Sequence, residues 1–144
     1  MVSITNATSL VGTWELLSRE DVTSDGQRRV EPNLGSDPVA YLIYDTTGHF
    51  AVQFMRRDRK TAGITNNSGS SHGYDAYFGR YSVVDGTVRQ ELVGALSPGE
   101  VGKVVTRQFQ INGAELVITL QTTSSTGEPV TRTLRWKRLA SDAR

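Results

Sequence analysis

Nine short segments rich in β-branched and aromatic residues recur along the chain at about ten-residue spacing, each ended by residues that suit a tight reversal. They span 13–22, 27–31, 39–44, 49–56, 74–84, 87–96, 103–111, 115–122 and 130–139. Val, Ile, Thr, Tyr and Phe fit a pleated, half-buried surface, so these segments read as strands. The punctuation is Ser24-Asp25-Gly26, Thr46-Thr47-Gly48, Asp85-Gly86, Ser97-Pro98-Gly99-Glu100 and Asn112-Gly113. Asp-Gly and Asn-Gly tolerate the positive φ of type I′ hairpins, which makes sequential strands antiparallel neighbours in an up-and-down meander. Helical periodicity is nearly absent, and no internal repeat or linker divides the chain. The expectation is one all-β domain over 1–144, with flexible ends at 1–9 and 140–144.

Alternation along the segments gives the sheet two unlike faces. Leu116, Ile118 and Leu120 share one face of their strand, as do Val105, Phe109 and Ile111, with mostly polar or small residues between them. A chain of 144 residues buries well over half of its unfolded surface and builds one core. Periodicity alone fits a closed barrel and a two-sheet sandwich equally.

Sixteen Lys and Arg against fifteen Asp and Glu leave a formal charge of +1, too little to recruit a polyanion by its field. Nucleic acid is therefore not an expected partner. The one basic run, Arg56-Arg57-Asp58-Arg59-Lys60, ends a strand and reads as a solvated rim. Without cysteine there are no disulfides, thiolate nucleophiles or cysteine-held metals. Two histidines cannot supply a three-histidine zinc site within one chain. Gly69-Ser70-Ser71-His72-Gly73 lies in a loop and is no nucleophile elbow, and glycine loops that cradle phosphate are missing. The first eight residues lack a basic n-region and an apolar h-region, and no apolar run is long enough to cross a bilayer. A cytoplasmic protein without membrane insertion is expected.

Val11-Gly12-Thr13-Trp14-Glu15-Leu16 near the start and Thr133-Leu134-Arg135-Trp136-Lys137-Arg138 near the end resemble the two ends of a lipocalin-like (calycin) barrel. Gly35-Ser36-Asp37-Pro38-Val39-Ala40-Tyr41-Leu42-Ile43-Tyr44, Asp45-Thr46-Thr47-Gly48-His49 and Gln53-Phe54-Met55-Arg56-Arg57-Asp58-Arg59 are similar to the small, mostly microbial lipocalin-like domain family. Tyr77-Phe78-Gly79-Arg80-Tyr81 and Arg107-Gln108-Phe109-Gln110-Ile111-Asn112-Gly113 continue the likeness in order. The resemblance implies a single antiparallel up-and-down lipocalin-like β-barrel of about 8–10 strands. It also implies that Trp14 plugs the closed end and that a basic residue of the last strand stacks on it. Alternation with Leu134 and Trp136 selects Arg138 for that partner over Arg135 and Lys137. Where relatives often carry histidines, this chain has Gln90 and Glu91.

Several residues are candidates for a site in the interior. Arg107 shares a face with Val105, Phe109 and Ile111, and a buried guanidinium needs a partner, either a ligand oxyanion or a carboxylate such as Glu91 or Asp75. Tyr41, Tyr44, Tyr74, Tyr77 and Tyr81 lie on strands; Tyr77 and Tyr81, four apart, share a face. A tyrosine suits a pocket that is mostly apolar with a few aimed polar groups. Gln53 and Met55 alternate with His49 and Ala51, opposite Phe50, Val52 and Phe54, and either face can be the inner one. His49 and His72 are the only side chains with an unperturbed pKa near neutrality. The ligand-contacting set is thus Tyr41, Gln53, Met55, Tyr77, Tyr81, Glu91 and Arg107, with Arg107, Tyr81 and His49 as candidate catalytic groups. The long connection 58–73 is expected to lie over one mouth and gate the cavity.

Three functions follow from this reading. The barrel holds a small, largely hydrophobic metabolite; or the same groups make it a cofactor-free cyclase or isomerase of a hydrophobic natural-product intermediate; or its interior is filled by its own side chains. No cofactor is called for, and self-association into a homodimer stays open.

Overall fold

The computed structural model describes residues 7–59 and 73–140. A single helical turn, α1 (Ala7–Leu10), leads into β1 (Gly12–Val22). Then follow β2 (Arg28–Arg29), β3 (Val39–Tyr44), β4 (His49–Met55), β5 (Tyr74–Val84) and β6 (Thr87–Ala95). A 3-10 turn at Pro98–Glu100 precedes β7 (Val104–Asn112), β8 (Glu115–Thr123) and β9 (Pro129–Arg138). Among the described residues no helix is long and apolar enough to cross a membrane.

Every strand pairs antiparallel with the next from β3 to β9, β1 pairs with β3, and β9 returns to β1, which closes an eight-stranded barrel. Closure removes the free sheet edges that an open meander would expose. β2 is the ninth strand, a two-residue ribbon added to the far end of β1 by Asp21↔Arg29 and Val22↔Arg28. Its flanking residues Gln27 and Val30 are both exposed, so nothing buries a longer pairing there.

The turns carry local reasons. Asp85 and Gly86 both take positive φ, 49° and 75°, as a type I′ hairpin between paired Val84 and Thr87 requires. The Asn-Gly hairpin differs from its sequence expectation. Asn112 stays in the strand paired with Glu115, and Gly113 alone turns positive at 63°, which is the type II′ pattern.

One core fills the end of the barrel where β1 begins. Trp14, Tyr44, Leu116, Val88 and Trp136 are almost wholly buried there, joined by Leu10 from α1. Trp14 Nε1 donates to the Leu10 carbonyl at 2.9 Å, and the Arg138 guanidinium lies 4.1 Å from the Trp14 ring centre. Arg138 also donates to the carbonyls of Val11 and Ser9, tying the turn before β1 to the end of β9. Gly12 is needed at this crossing: its φ is 142°, and a Cβ there would stand 2.7 Å from Arg138 Nη1. This end is closed, so any interior space opens toward the opposite end, at Asp21, Val39, Tyr74 and Val130.

Two bulges decide which side chains look inward. In β1 the register with β9 shifts between Leu16 and Ser18. Trp14 and Leu16 face the core before the shift, and Arg19, Asp21 and Thr23 turn inward after it. In β5 and β6 the register shifts at Phe78/Gly79, and a Cβ on Gly79 would lie 1.7 Å from the Glu91 carbonyl oxygen. The Phe78 ring covers the bare backbone of Gly94 on the outer surface.

Candidate functional site

The interior above the core is a cavity of about 610 Å³, open at the end away from Trp14. Its wall combines two chemistries. Leu42, Val52, Phe54, Leu92, Ile118, Leu134 and Trp136 make an apolar lower wall. Arg19, Arg107, Arg132, Asp75, Glu31 and Glu100 supply charge, and Tyr44, Tyr77 and Gln90 supply neutral polar groups. The fully packed interior considered from the sequence is thus absent: the barrel is filled at one end and hollow above it.

The residues expected in the interior are divided by the barrel wall. Arg107 lines the cavity on the same face as Val105, Phe109 and Ile111. Its Nη1 donates to the Thr106 carbonyl at 3.2 Å, and it makes no ion pair among the described residues. Glu91, offered as its partner, faces outward and pairs with Arg80 at 3.3 Å. Its neighbour Gln90 is the inward one, 3 % exposed, donating from Nε2 to the Tyr44 hydroxyl at 2.8 Å.

Tyr77 lines the cavity, packed edge-on to Phe50 with ring centres 6.0 Å apart. Its hydroxyl makes no hydrogen bond to another described residue. Part of its surface is accessible and faces the cavity, and enclosure by the barrel raises its phenol pKa, opposed by the charge of Arg107. Tyr44, at the cavity floor, is held far above the usual phenol range by burial.

Expectations for six interior residues are corrected. Tyr41 is 48 % exposed, because Ala40, Leu42 and Tyr44 take the inner face of β3. Gln53 and Met55 stand opposite the buried Phe50, Val52 and Phe54, so the phenylalanine face of β4 is the core; Gln53 instead accepts from the Tyr74 hydroxyl at 2.9 Å. Tyr81 is on the inner face but at the closed end, below the cavity, where its hydroxyl donates to the Asp45 carbonyl at 2.7 Å and its ring meets Tyr44 edge-on. His49 is exposed at the first position of β4; its backbone N–H donates to Asp45 Oδ1, and its ring Nδ1 bonds to the Thr47 hydroxyl. Glu91 is the sixth, placed outside by the alternation that buries Gln90. His72 and residues 60–72 of the expected gate lie outside the described residues. The ends of that connection meet at the open end, where Arg56 N–H donates to the Gly73 carbonyl and Gly73 N–H to Asn33 Oδ1. Within the basic run, Arg56 pairs with Asp58 and Arg57 with Asp37, on the outer rim.

Sequence reasoning missed Arg19 and Arg132, and named Asp75 only as a structural partner for Arg107. Arg132 is paired to the buried Asp21 by two bonds of 2.8 and 2.9 Å across β9 and β1. Arg19 lies 5.3 Å over the Phe54 ring with its buried Nε lacking any acceptor. Burial pulls its pKa down from the usual arginine value, and the neighbouring Arg132 adds to this. Asp75 sits at the mouth, its carboxyl pKa raised by burial and partly restored by Arg19. The available signal for Arg19 was the adjacent pair Leu16-Leu17, a break in alternation that marks the bulge.

Residues 11–139 match the family model of the lipocalin-like domain. The chain belongs to the lipocalin-like domain family. The match runs from the residue before Gly12 to the residue after Arg138, so it spans the barrel from its first strand to its last. No curated protein matches the sequence. For this lipocalin-like barrel, then, the family gives the fold, and the chemistry has to be argued from the cavity itself.

Proposed function

We propose that this lipocalin-like barrel binds a small, largely hydrophobic metabolite in its interior. The observation that carries the reading is the cavity of about 610 Å³, walled by inward side chains of the barrel strands and shut at one end by the Trp14 core. Its size falls in the range of sites that enclose small molecules, and its apolar lower wall with a few polar groups above is the usual composition of such sites. Burying an apolar ligand surface there supplies affinity at about 25 cal/mol per Å² before the costs of association.

The experiment fills the space. Val105→Trp, on the half-buried cavity wall, is expected to abolish binding of a neutral apolar fluorophore while leaving the far-ultraviolet circular dichroism unchanged. Native mass spectrometry of freshly purified protein reports any co-purified ligand. Unaltered affinity in Val105→Trp would place the binding elsewhere and end this reading.

A second reading is favoured by Asp75. A carboxyl with its pKa raised by burial, beside Tyr77 and within electrostatic reach of Arg19, has the character of a general acid or base next to cations that stabilise developing negative charge. On this reading the barrel is a cofactor-free enzyme of the cyclase or isomerase type, acting on a hydrophobic natural-product intermediate. Asp75→Asn then keeps ligand affinity and loses turnover. Equal product formation by Asp75→Asn and wild type would remove Asp75 from the chemistry.

A further inference from the structure

The polar groups of the cavity are unevenly matched. Arg132 is neutralised by Asp21, Glu100 reaches Lys103 at 3.3 Å, and Glu31 accepts the Asn33 N–H at 2.8 Å. Among the described residues two of the cavity's arginines have no ion-pair partner: Arg19 from β1 and Arg107 from β7. Both line the cavity together with Tyr77, and Arg19 lies 5.3 Å over the Phe54 ring of its apolar wall. Asp75, the nearby acid, makes no ion pair with either of them.

The unsatisfied atoms point the same way. Arg19 Nε and Trp136 Nε1 are buried donors with no acceptor among the described residues, and both side chains pack on the same ring, Phe54, at 5.3 and 5.8 Å. An unpaired buried donor is costly, and an unpaired buried charge more so. One incoming group that carries only acceptors and a negative charge relieves both. The planar guanidinium fork matches a carboxylate in two parallel hydrogen bonds. The apolar wall of Leu42, Leu92, Ile118 and Leu134 is left for the rest of the ligand.

We propose that Arg19 and Arg107 form an anion subsite inside the cavity, with Tyr77 and Trp136 as neutral donors, and that the ligand is an amphiphilic carboxylic acid. The inference rests on the reading of the barrel as a binding protein and narrows its ligand class. It makes Arg19 a ligand-anchoring residue.

The test uses a matched pair of probes, 4-(1-pyrenyl)butyric acid and 4-(1-pyrenyl)butanol, which differ at the charged end. The wild-type protein is expected to bind the acid at least roughly tenfold more tightly. Arg19→Gln and Arg107→Gln each lower the affinity for the acid by about tenfold and leave the alcohol within about twofold. Lys137→Gln, an outer-surface control, changes neither. Equal affinity of wild type for acid and alcohol overturns the anion subsite while the binding cavity stands, and this comparison needs no variant to fold. A parallel loss of both probes in Arg19→Gln, with its thermal transition retained, overturns the anchoring role of Arg19. Binding of neither probe overturns both the subsite and the cavity reading beneath it.

Discussion

Arg138 holds its guanidinium 4.1 Å from the centre of the Trp14 indole while its two terminal nitrogens bond the carbonyls of Val11 and Ser9. The first and last strands of the barrel are therefore joined by more than their backbone ladder. Trp14 has no exposed surface, and truncating a buried aromatic costs about 3–5 kcal/mol, so Trp14→Ala is expected to lose that much in urea denaturation. Arg138→Met keeps the alkyl stem but removes the cation over the ring and two charged hydrogen bonds; about 2 kcal/mol is expected. Gly12→Ala forces a Cβ to 2.7 Å from Arg138 Nη1 at a φ of 142°, so it is expected to destabilise by a further amount of the same order, about 1–3 kcal/mol. An unchanged midpoint in all three would show that the closed end contributes nothing to stability.

The two arginines that the β1 bulge brings together are expected to behave oppositely. Arg132→Leu strands Asp21, which is 4 % exposed, and loss of one partner from a buried pair costs about 3–5 kcal/mol. Arg19 has no such partner, stands beside Arg132, and gains only its position over Phe54. Arg19→Met is expected to be within about 1 kcal/mol of wild type or more stable. Chemical denaturation of both variants side by side checks this. Equal destabilisation by the two substitutions would mean that Arg19 is held by an interaction of its own.

Strands were legible because their causes are local, whereas closure into a barrel was implied only by the family resemblance. β-Branched runs, explicit turn residues and period-two alternation name nine strands, and eight of the nine begin and end within one residue of the sequence expectation. The exception, β2, shrinks to two residues because its exposed segment has no face to bury. The site was legible only where alternation continues unbroken, as it does from Val105 to Ile111, which puts Arg107 inside. One extra residue in β1 inverts the faces beyond Leu16, and strict alternation then sends Arg19 and Asp21 to solvent on paper. In β4 both faces carry large side chains, and the choice between them depends on neighbours across the barrel: Phe54 turns inward to meet Trp136. No local pattern in 49–56 contains that contact.

Asp75 gives a pH dependence with a defined sign. Its folded pKa is raised, chiefly by burial. Between the ordinary carboxylate value, about 4, and that raised value, the folded state binds more protons than the unfolded one, so stability falls as pH rises through this window. Asp75→Asn removes the titration. The variant is expected to show a flatter stability–pH curve across the window and higher relative stability at neutral pH, measured by urea unfolding at stepped pH. The carboxyl of Asp45, held below the usual range by Thr47 and the His49 N–H, has the opposite sign, with its contribution lost as pH falls. Superimposable curves for wild type and Asp75→Asn would show that the mouth is wetter than its burial implies.

The cavity floor offers a separate measurement of what a buried hydrogen bond contributes. Gln90 Nε2 donates to the Tyr44 hydroxyl at 2.8 Å, and Gln90 Oε1 has no partner. Tyr44→Phe leaves the whole amide unpaired, and Gln90→Leu leaves the phenol unpaired; each is expected to cost about 1–3 kcal/mol. Because both singles strand a polar group that the double removes, Tyr44→Phe/Gln90→Leu is expected to be milder than the sum, with a coupling of about 1 kcal/mol in a double-mutant cycle. The double variant also makes the floor apolar below Arg19 and Arg107, so binding of 4-(1-pyrenyl)butanol is expected to tighten in it. Strict additivity, with no gain for the neutral probe, would mean that the Tyr44–Gln90 bond neither supports the core nor shapes the cavity floor.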